Sequence, residues 1–345
     1  MKEVKTLGQK KEIIMAVETS CDETAVAILA EGKELLSNLV SSQIKVHQQF
    51  GGVVPEIASR KHLEQVNRLI SLALKEAKLT FSELSALAVT YGPGLVGALL
   101  VGVSTVKALA YSRQLPLIGV NHIEGHIYAN WLVHREIRFP LVGLIVSGGH
   151  TALVEMRGHG DYTLLGQTQD DAAGEAYDKV ARAMGLGYPG GPLLDALARE
   201  GNGEALNLPR AWLGEDNYNF SFSGLKTAVL NYLNKATMKG EKVNQADLAA
   251  SFQASVVEVL VEKTIRVAQK KGLKSVLMAG GVSANSFLRK QMGKRCQAEG
   301  LKLYYPPVEF CTDNAAMIAC AAHYHYLKGE YAGWDLNAIP QLRLY

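Results

Sequence analysis

Cysteine is scarce in this chain: Cys21, Cys296, Cys311 and Cys320 are the only four among 345 residues. No two stand as CxxC, so there is neither a paired-cysteine metal spacing nor a disulfide framework, and a reducing, cytoplasmic setting is expected. Long apolar runs are missing too. No stretch approaches the roughly 18–20 uninterrupted apolar residues of a membrane span, so no membrane association is expected. The opening residues are charged, and the first apolar run, Ile13–Val17, is too short for the core of a secretory signal. Charge is nearly balanced at a formal +3, too little to advertise nucleic-acid binding by itself. A local basic patch is offered by Arg289, Lys290, Lys294 and Arg295 on one predicted helix, a pattern that also describes a plain solvated face. What remains is an ordinary globular composition, 48% hydrophobic and 20% charged, with core enough for about two domains.

The chain is organised around Asn121–His126, which reads NHIEGH and follows the apolar run Leu117, Ile118, Val120. On a helix, His122 and His126 fall one turn apart on one face, and two imidazoles so placed can grip one divalent metal. The plainer reading makes one histidine a cap and the other a solvated side chain. Asn121, Glu124 and Gly125 crowd the same short segment at the end of a predicted strand, which offers the rigid backing a metal site needs.

Earlier in the chain, Ile13–Val17 and Ala25–Leu29 read as strands joined by the polar turn ETSCDET. Asp22 and Glu23 in that turn are candidate bases or ligands, or simply turn formers. Glu56–Leu79 has helical periodicity, with Leu63 among its apolar positions. The strand Ala86–Thr90 then runs into the glycine-rich YGPGLVGALLVG, which lacks the Lys-Ser/Thr ending of a P-loop.

The strand–turn–strand plan recurs at Leu141–Met156 around SGGHT, which points to a duplicated, two-lobed α/β protein with facing turns. A third glycine turn, GGVSAN, joins the strand Ser275–Ala279 to a helix over Ser286–Ala298, and Gln245–Gly272 holds a long helix. Asp170 and Asp171 open a helix whose dipole they would stabilise, and Asp178 lies deeper in it. Asp313, in CTDN, reads most simply as the N-cap or first-turn acid of a helix over Ala315–Leu327.

Ten blocks occur in order: ETSCDET, GGVVPEIASRKH, GPGLVGALLVG, NHIEGH, SGGHT, DDAAGEAYDK, YPGGP, FSFSGLK, MAGGVSAN and CTDN. Together they resemble the bacterial tRNA threonylcarbamoyladenosine transferase family, formerly described as O-sialoglycoprotein endopeptidases. The resemblance runs from about Ile13 to about Tyr326. It implies the two-lobed actin-like, sugar-kinase and Hsp70-type α/β fold, with a central cleft. The first lobe would span residues 1–140, with a returning C-terminal helix in 314–345, and the second lobe 141–313.

The resemblance further implies a metal-assisted acyl transfer. A threonylcarbamoyl group passes from threonylcarbamoyl-adenylate to the exocyclic N6 amine of adenosine 37 in tRNAs that read codons beginning with A, and AMP leaves. One divalent metal per subunit, iron or zinc, would be held by His122, His126 and Asp313. Ile145, Val146, Ser147, Gly148, Gly149, Asp178, Gly191 and Asn285 match ligand-contacting positions, and Asp195 does so at a position that varies among relatives. Asn121 stands where some relatives carry a further histidine. Asp22 and Glu23 are candidate proton acceptors that spacing does not single out. The implied partners are tRNA, a catalytically silent paralogue as heterodimer partner and a small P-loop ATPase.

Two other enzyme classes compete. A zinc peptidase would need glutamate directly after the first histidine, where this chain has Ile123. A small-molecule kinase or ATPase would suit the paired hairpins, but kinases of this fold hold magnesium with carboxylates and water rather than with histidines. A non-enzymatic scaffold fits poorly with so many polar groups at turns.

Overall fold

The computed structural model describes residues 11–214 and 216–345. Residues 1–10, the charged opening assigned above to the first lobe, lie outside the described residues. The first half runs β1 (Ile13–Glu18), β2 (Glu23–Ala30), β3 (Glu34–Ser42), α1 (Ile44–His47), α2 (Pro55–Ala77), β4 (Ala86–Gly92), α3 (Val96–Arg113), β5 (Leu117–Asn121) and α4 (His122–Tyr128). The second runs β6 (Leu141–Val146), β7 (Thr151–Gly158), β8 (Asp161–Gln167), α5 (Ala173–Ala183), α6 (Gly190–Ala198), α7 (Ser223–Lys239), α8 (Gln245–Lys270), β9 (Ser275–Ala279), α9 (Ser286–Ala298), β10 (Lys302–Tyr304) and α10 (Ala315–Lys328).

Two five-stranded sheets result, ordered β3-β2-β1-β4-β5 and β8-β7-β6-β9-β10. In each, the first three strands are antiparallel and the last two join in parallel. The duplication expected from the two hairpins is therefore present strand for strand.

Strand alternation explains the layers. Met15 and Val17 of β1 face one side, where they meet Val66, Leu69 and Ile70 of α2 and Val103 and Val106 of α3. Ile14 and Ala16 face the other side and meet the alanine-rich α10. Small residues on both surfaces (Ala16, Ala25, Ala27 and Ala88 on the sheet; Ala315, Ala319 and Ala322 on α10) let helix and sheet approach closely. Ile145, Val154 and Met156 of the second sheet join the same core from beyond α4, while Val142, Leu144 and Val146 face α5 and α8. The short α4 and the buried α10 thus form a middle layer between the sheets.

Element boundaries differ from expectation in a few places. The helix at NHIEGH begins at His122 itself and ends at Tyr128, with Asn121 left outside it as the cap. Leu63 is 64% exposed rather than part of the buried face of α2. Asp170 and Asp171 precede α5, which starts at Ala173, and Asp170 serves a different helix instead. Its carboxylate accepts N–H groups of Phe222 and Ser223 and the hydroxyls of Ser221 and Ser223, capping α7 from across the lobe. No helix among the described residues is long and apolar enough to cross a membrane.

Candidate active site

The end of β5 builds the first half of the site. Asn121 leaves the sheet and caps α4, its Oδ1 accepting the Ile123 and Glu124 N–H groups at 2.8 and 3.3 Å. Its amide donates to the Arg343 carbonyl at 3.2 Å, so the segment after α10 clamps the cap from outside. With the start of α4 fixed, His122 and His126 project together, their ring centroids 4.7 Å apart.

Asp313 completes a triad. Its Oδ1 lies 3.2 Å from His126 Nε2 and 3.6 Å from His122 Nε2. All three donor atoms fall within 4.8 Å of one another. The N-cap role expected for Asp313 belongs to its neighbour: Asn314 Oδ1 accepts the Met317 N–H at 3.0 Å. One residue earlier, the Asp313 carboxylate is free to turn toward the histidines.

Sequence reasoning missed Glu18. This fully buried carboxylate closes β1, and its Oε2 stands 3.0 Å from His122 Nδ1. Thr90 donates to the same oxygen at 2.6 Å, and the Ser20 N–H donates to Oε1. A proton on Nδ1 facing Glu18 leaves the Nε2 lone pair of His122 toward Asp313 and His126. Two imidazole nitrogens and one carboxylate oxygen then converge, a donor set that suits zinc or iron and leaves coordination positions open. Burial pulls the His122 pKa down, but the Asp313 and Glu18 carboxylates win and hold it up to about 9. Burial raises Asp313, yet His122 and His126 bring it to about 2. The pocket attracts one positive charge, as a proton or as a cation.

The polar turn lies beside the triad. Burial first, then the Asp313 and Asp22 carboxylates, push Glu23 up to about 9, so it holds its proton at neutral pH. Asp22 is buried, with its carbonyl taken by the Gln43 N–H at 3.1 Å. His62 braces the turn from α2, with Nε2 2.9 Å from the Cys21 carbonyl and Nδ1 2.8 Å from Thr24 Oγ1.

The second hairpin supplies backbone. The Ile145 and Val146 side chains are wholly buried, so only their main chain can meet a ligand. The Ser147 N–H donates to the His150 carbonyl at 2.8 Å, and Ser147 Oγ accepts the His150 N–H at 3.1 Å, closing the turn. A β-carbon on Gly148 or Gly149 would meet nothing within 4 Å, so both amides border open space. Behind them the packing is tight: a β-carbon would stand 2.6 Å from the Ser147 carbonyl oxygen if built on Gly174, and 2.4 Å from that of Val146 if built on Gly280. Desolvation, then the charge on His122 and His126, pushes His150 down to about 4, so this hairpin lies within electrostatic reach of the triad.

The remaining expected positions cluster around α6 and α9. Asp178 accepts the Gly190 N–H at 2.8 Å, and burial raises its pKa. Gly191 borders open space. Asp195 accepts Ser286 Oγ at 3.0 Å and Arg199 Nη2 at 2.9 Å, tying α6 to the start of α9. Asn285 caps α9 through Leu288 N at 2.8 Å and donates to Gln253 at 2.8 Å. The basic patch is largely spent: Arg289 binds the Ser283 and Pro306 carbonyls and Arg295 binds Glu262, which leaves Lys290 and Lys294 exposed. Glu124 turns away from the triad to Tyr162 and His325, so the base of a HExxH-type peptidase has no counterpart here.

Comparisons with known proteins show the family of the chain. The chain is 54% identical to a tRNA N6-adenosine threonylcarbamoyltransferase of Clostridium botulinum over 96% of this chain and 97% of that one. It is 56% identical to a protein of the same name from Desulfitobacterium hafniense, over 96% of this chain and 97% of that one. Among solved structures, full-length HypF in a phosphate- and nucleotide-bound form superposes with a TM-score of 0.62 at 15% identity, covering 94% of this chain and 57% of that one. Component A of the (R)-2-hydroxyglutaryl-CoA dehydratase of Acidaminococcus fermentans gives 0.51 at 15% identity, covering 93% of this chain and 99% of that one, and these two likenesses speak for the fold alone. The family model described as TsaD, tRNA N6-adenosine threonylcarbamoyltransferase, matches residues 34–320. The chain belongs to the tRNA N6-adenosine threonylcarbamoyltransferase family.

Proposed function

We propose that this chain transfers the threonylcarbamoyl group of threonylcarbamoyl-adenylate to the N6 amine of adenosine 37 in tRNAs that read codons beginning with A. The observation that carries the reading is the convergence of His122, His126 and Asp313, oriented by Glu18, near the Ser147–Gly149 hairpin in a chain of this family. The lobes are taken as 1–140 with 314–345, and 141–313, with the site in the cleft between them.

The amine nitrogen attacks the carbamoyl carbon, the bond from that carbon to the phosphate oxygen breaks, and AMP leaves with the electron pair. The free amides of Gly148 and Gly149 face the phosphate, while Asp178, Gly191, Asp195 and Asn285 border the rest of the adenylate. Asp22 takes the amine proton; Glu23, already protonated, stands as a donor beside it. One iron or zinc ion held by the triad would polarise the carbonyl and orient the threonyl group. The adenine amine is a weak nucleophile, so most of the rate comes from holding it in line with the carbonyl.

The chain works in the cytoplasm with a silent paralogue and a small P-loop ATPase. Exposed Leu63, Val96 and Leu100 on α2 and α3, at 64, 54 and 41%, support a helical partner on that face. The test incubates the chain and these partners with threonylcarbamoyl-adenylate and unmodified tRNA. AMP release matched by modified adenosine supports the reading; AMP release with no modified tRNA overturns it.

A further inference from the structure

Glu124 lies between the two triad histidines in sequence, yet its side chain leaves them. The buried carboxylate accepts the Tyr162 hydroxyl of β8 at 2.8 Å and stands 2.9 Å from His325 Nε2 on α10. His325 Nδ1 in turn lies 2.7 Å from Glu330, so carboxylates fix the imidazole on both sides. The next residue makes a second contact: a β-carbon on Gly125 would stand 2.5 Å from Ile318 Cδ1 of α10. Ile318 and His325 are two turns apart on one face of α10. The short α4 therefore meets α10 at apolar contacts, Gly125 against Ile318 and the Tyr128–Tyr324 ring pair with centroids 4.9 Å apart, and at a polar strut, Glu124.

The two helices carry opposite halves of the triad. His122 and His126 ride on α4, and Asp313 comes just before α10. The Asn121 cap fixes where α4 starts and its apolar contacts fix its depth in the core, and a directional polar contact adds resistance to roll about its axis. With the backbone at a radius of about 2.3 Å and an imidazole reaching roughly 6 Å out, a roll of about 10° moves a ring nitrogen by about 1 Å. Metal–ligand distances hold to about 0.2 Å, so such a roll would disperse the donors.

We infer that Glu124 is a positioning residue that, with His325 and Tyr162, sets the roll of α4 and so presents both Nε2 atoms to the point shared with Asp313. The inference rests on the metal reading of the triad and gives a role to a buried carboxylate that the transfer reaction does not use.

The test measures Zn2+ affinity by competition with a chromophoric chelator, on folded protein well below its melting temperature. The chains compared are wild type, His126→Ala, Glu124→Gln, His325→Gln, Tyr162→Phe and the double variant Glu124→Gln/His325→Gln. Wild type should take up about one equivalent and His126→Ala lose the site. Glu124→Gln and His325→Gln should each bind roughly 10–100-fold more weakly, and the double variant no more weakly than the worse single one, because both break one strut. Tyr162→Phe, the mildest change, should weaken binding less and serves if the others fail to fold. Wild-type affinity in the strut variants, with only the melting temperature lowered, would overturn the positioning role while leaving the metal site intact. No zinc uptake by the wild-type chain would remove the metal reading and this inference with it.

Discussion

Glu18 and His122 stand 3.0 Å apart, carboxylate to Nδ1, and this contact, with Ser20 Oγ 3.0 Å from the same nitrogen, leaves Nε2 for the triad. Glu18→Gln keeps the shape but removes the charge, and its amide can donate to Nδ1, pushing the ring proton to Nε2. Metal affinity should fall roughly 10–100-fold. Metal content after dialysis against a graded chelator checks this; unchanged content would reduce Glu18 to a packing role.

Two glycines separate stability from ligand binding. Gly125→Ala must push against Ile318 Cδ1 at 2.5 Å and Met317 Cγ at 3.3 Å, and should cost about 1–3 kcal/mol of folding stability. Gly191→Ala meets nothing within 4 Å and has no left-handed backbone to strain, so its melting curve should match wild type. Its KM for the adenylate should rise. Denaturant melts and initial rates on the same preparations read both effects.

Asp170 holds the FSFSGLK segment through four hydrogen bonds. Burial raises its pKa, but bonds from Ser221, Ser223 and the Phe222 N–H outweigh that and keep it below the ordinary value. A depressed carboxylate stabilises the fold above its unfolded pKa and loses that contribution as pH falls through the folded one. Asp170→Ala should cost about 1–3 kcal/mol at pH 7, because it strands the N–H groups of α7. The gap from wild type should narrow below about pH 4 in urea melts.

His159 predicts a second pH dependence. Its ring lies 3.8 Å from that of Tyr324 and 4.9 Å from that of Phe139, and Tyr128 and Trp131 crowd it further. Desolvation, then Lys328 and His323, pushes it down to about 4. An unfolded histidine takes a proton near pH 6.5 that the folded one refuses, so stability falls as pH drops from about 6.5 toward 4. His159→Phe should flatten that part of the wild-type slope, as melting temperatures across the range will show.

The central strands were legible because each is a short apolar run buried on both faces, as in β1, β4, β6 and β9. The outer strands β3 and β8 were not, since half-exposed runs such as ELLSNLVSS carry no clear alternation. The paired histidines could be read from one helical turn, but Asp313 could not. It follows His126 by a whole lobe, and only the packing of α10 on α4 brings it back. The resemblance to a known family supplied it instead. Glu18 left a fainter signal, a carboxylate closing an apolar strand, and its partner is fixed only when β1, β4 and β5 lie side by side. Asp170 was misread for the same reason: the helix it caps lies far ahead in the chain.

The most direct test of the account depletes this chain in its own cells, restores either wild type or His126→Ala, and measures tRNA nucleosides by mass spectrometry. Threonylcarbamoyladenosine should fall on depletion, with unmodified adenosine rising at position 37, and return with wild type but not with His126→Ala. Full levels of the modified nucleoside without the chain would contradict the transferase role, and full rescue by His126→Ala would contradict the metal triad.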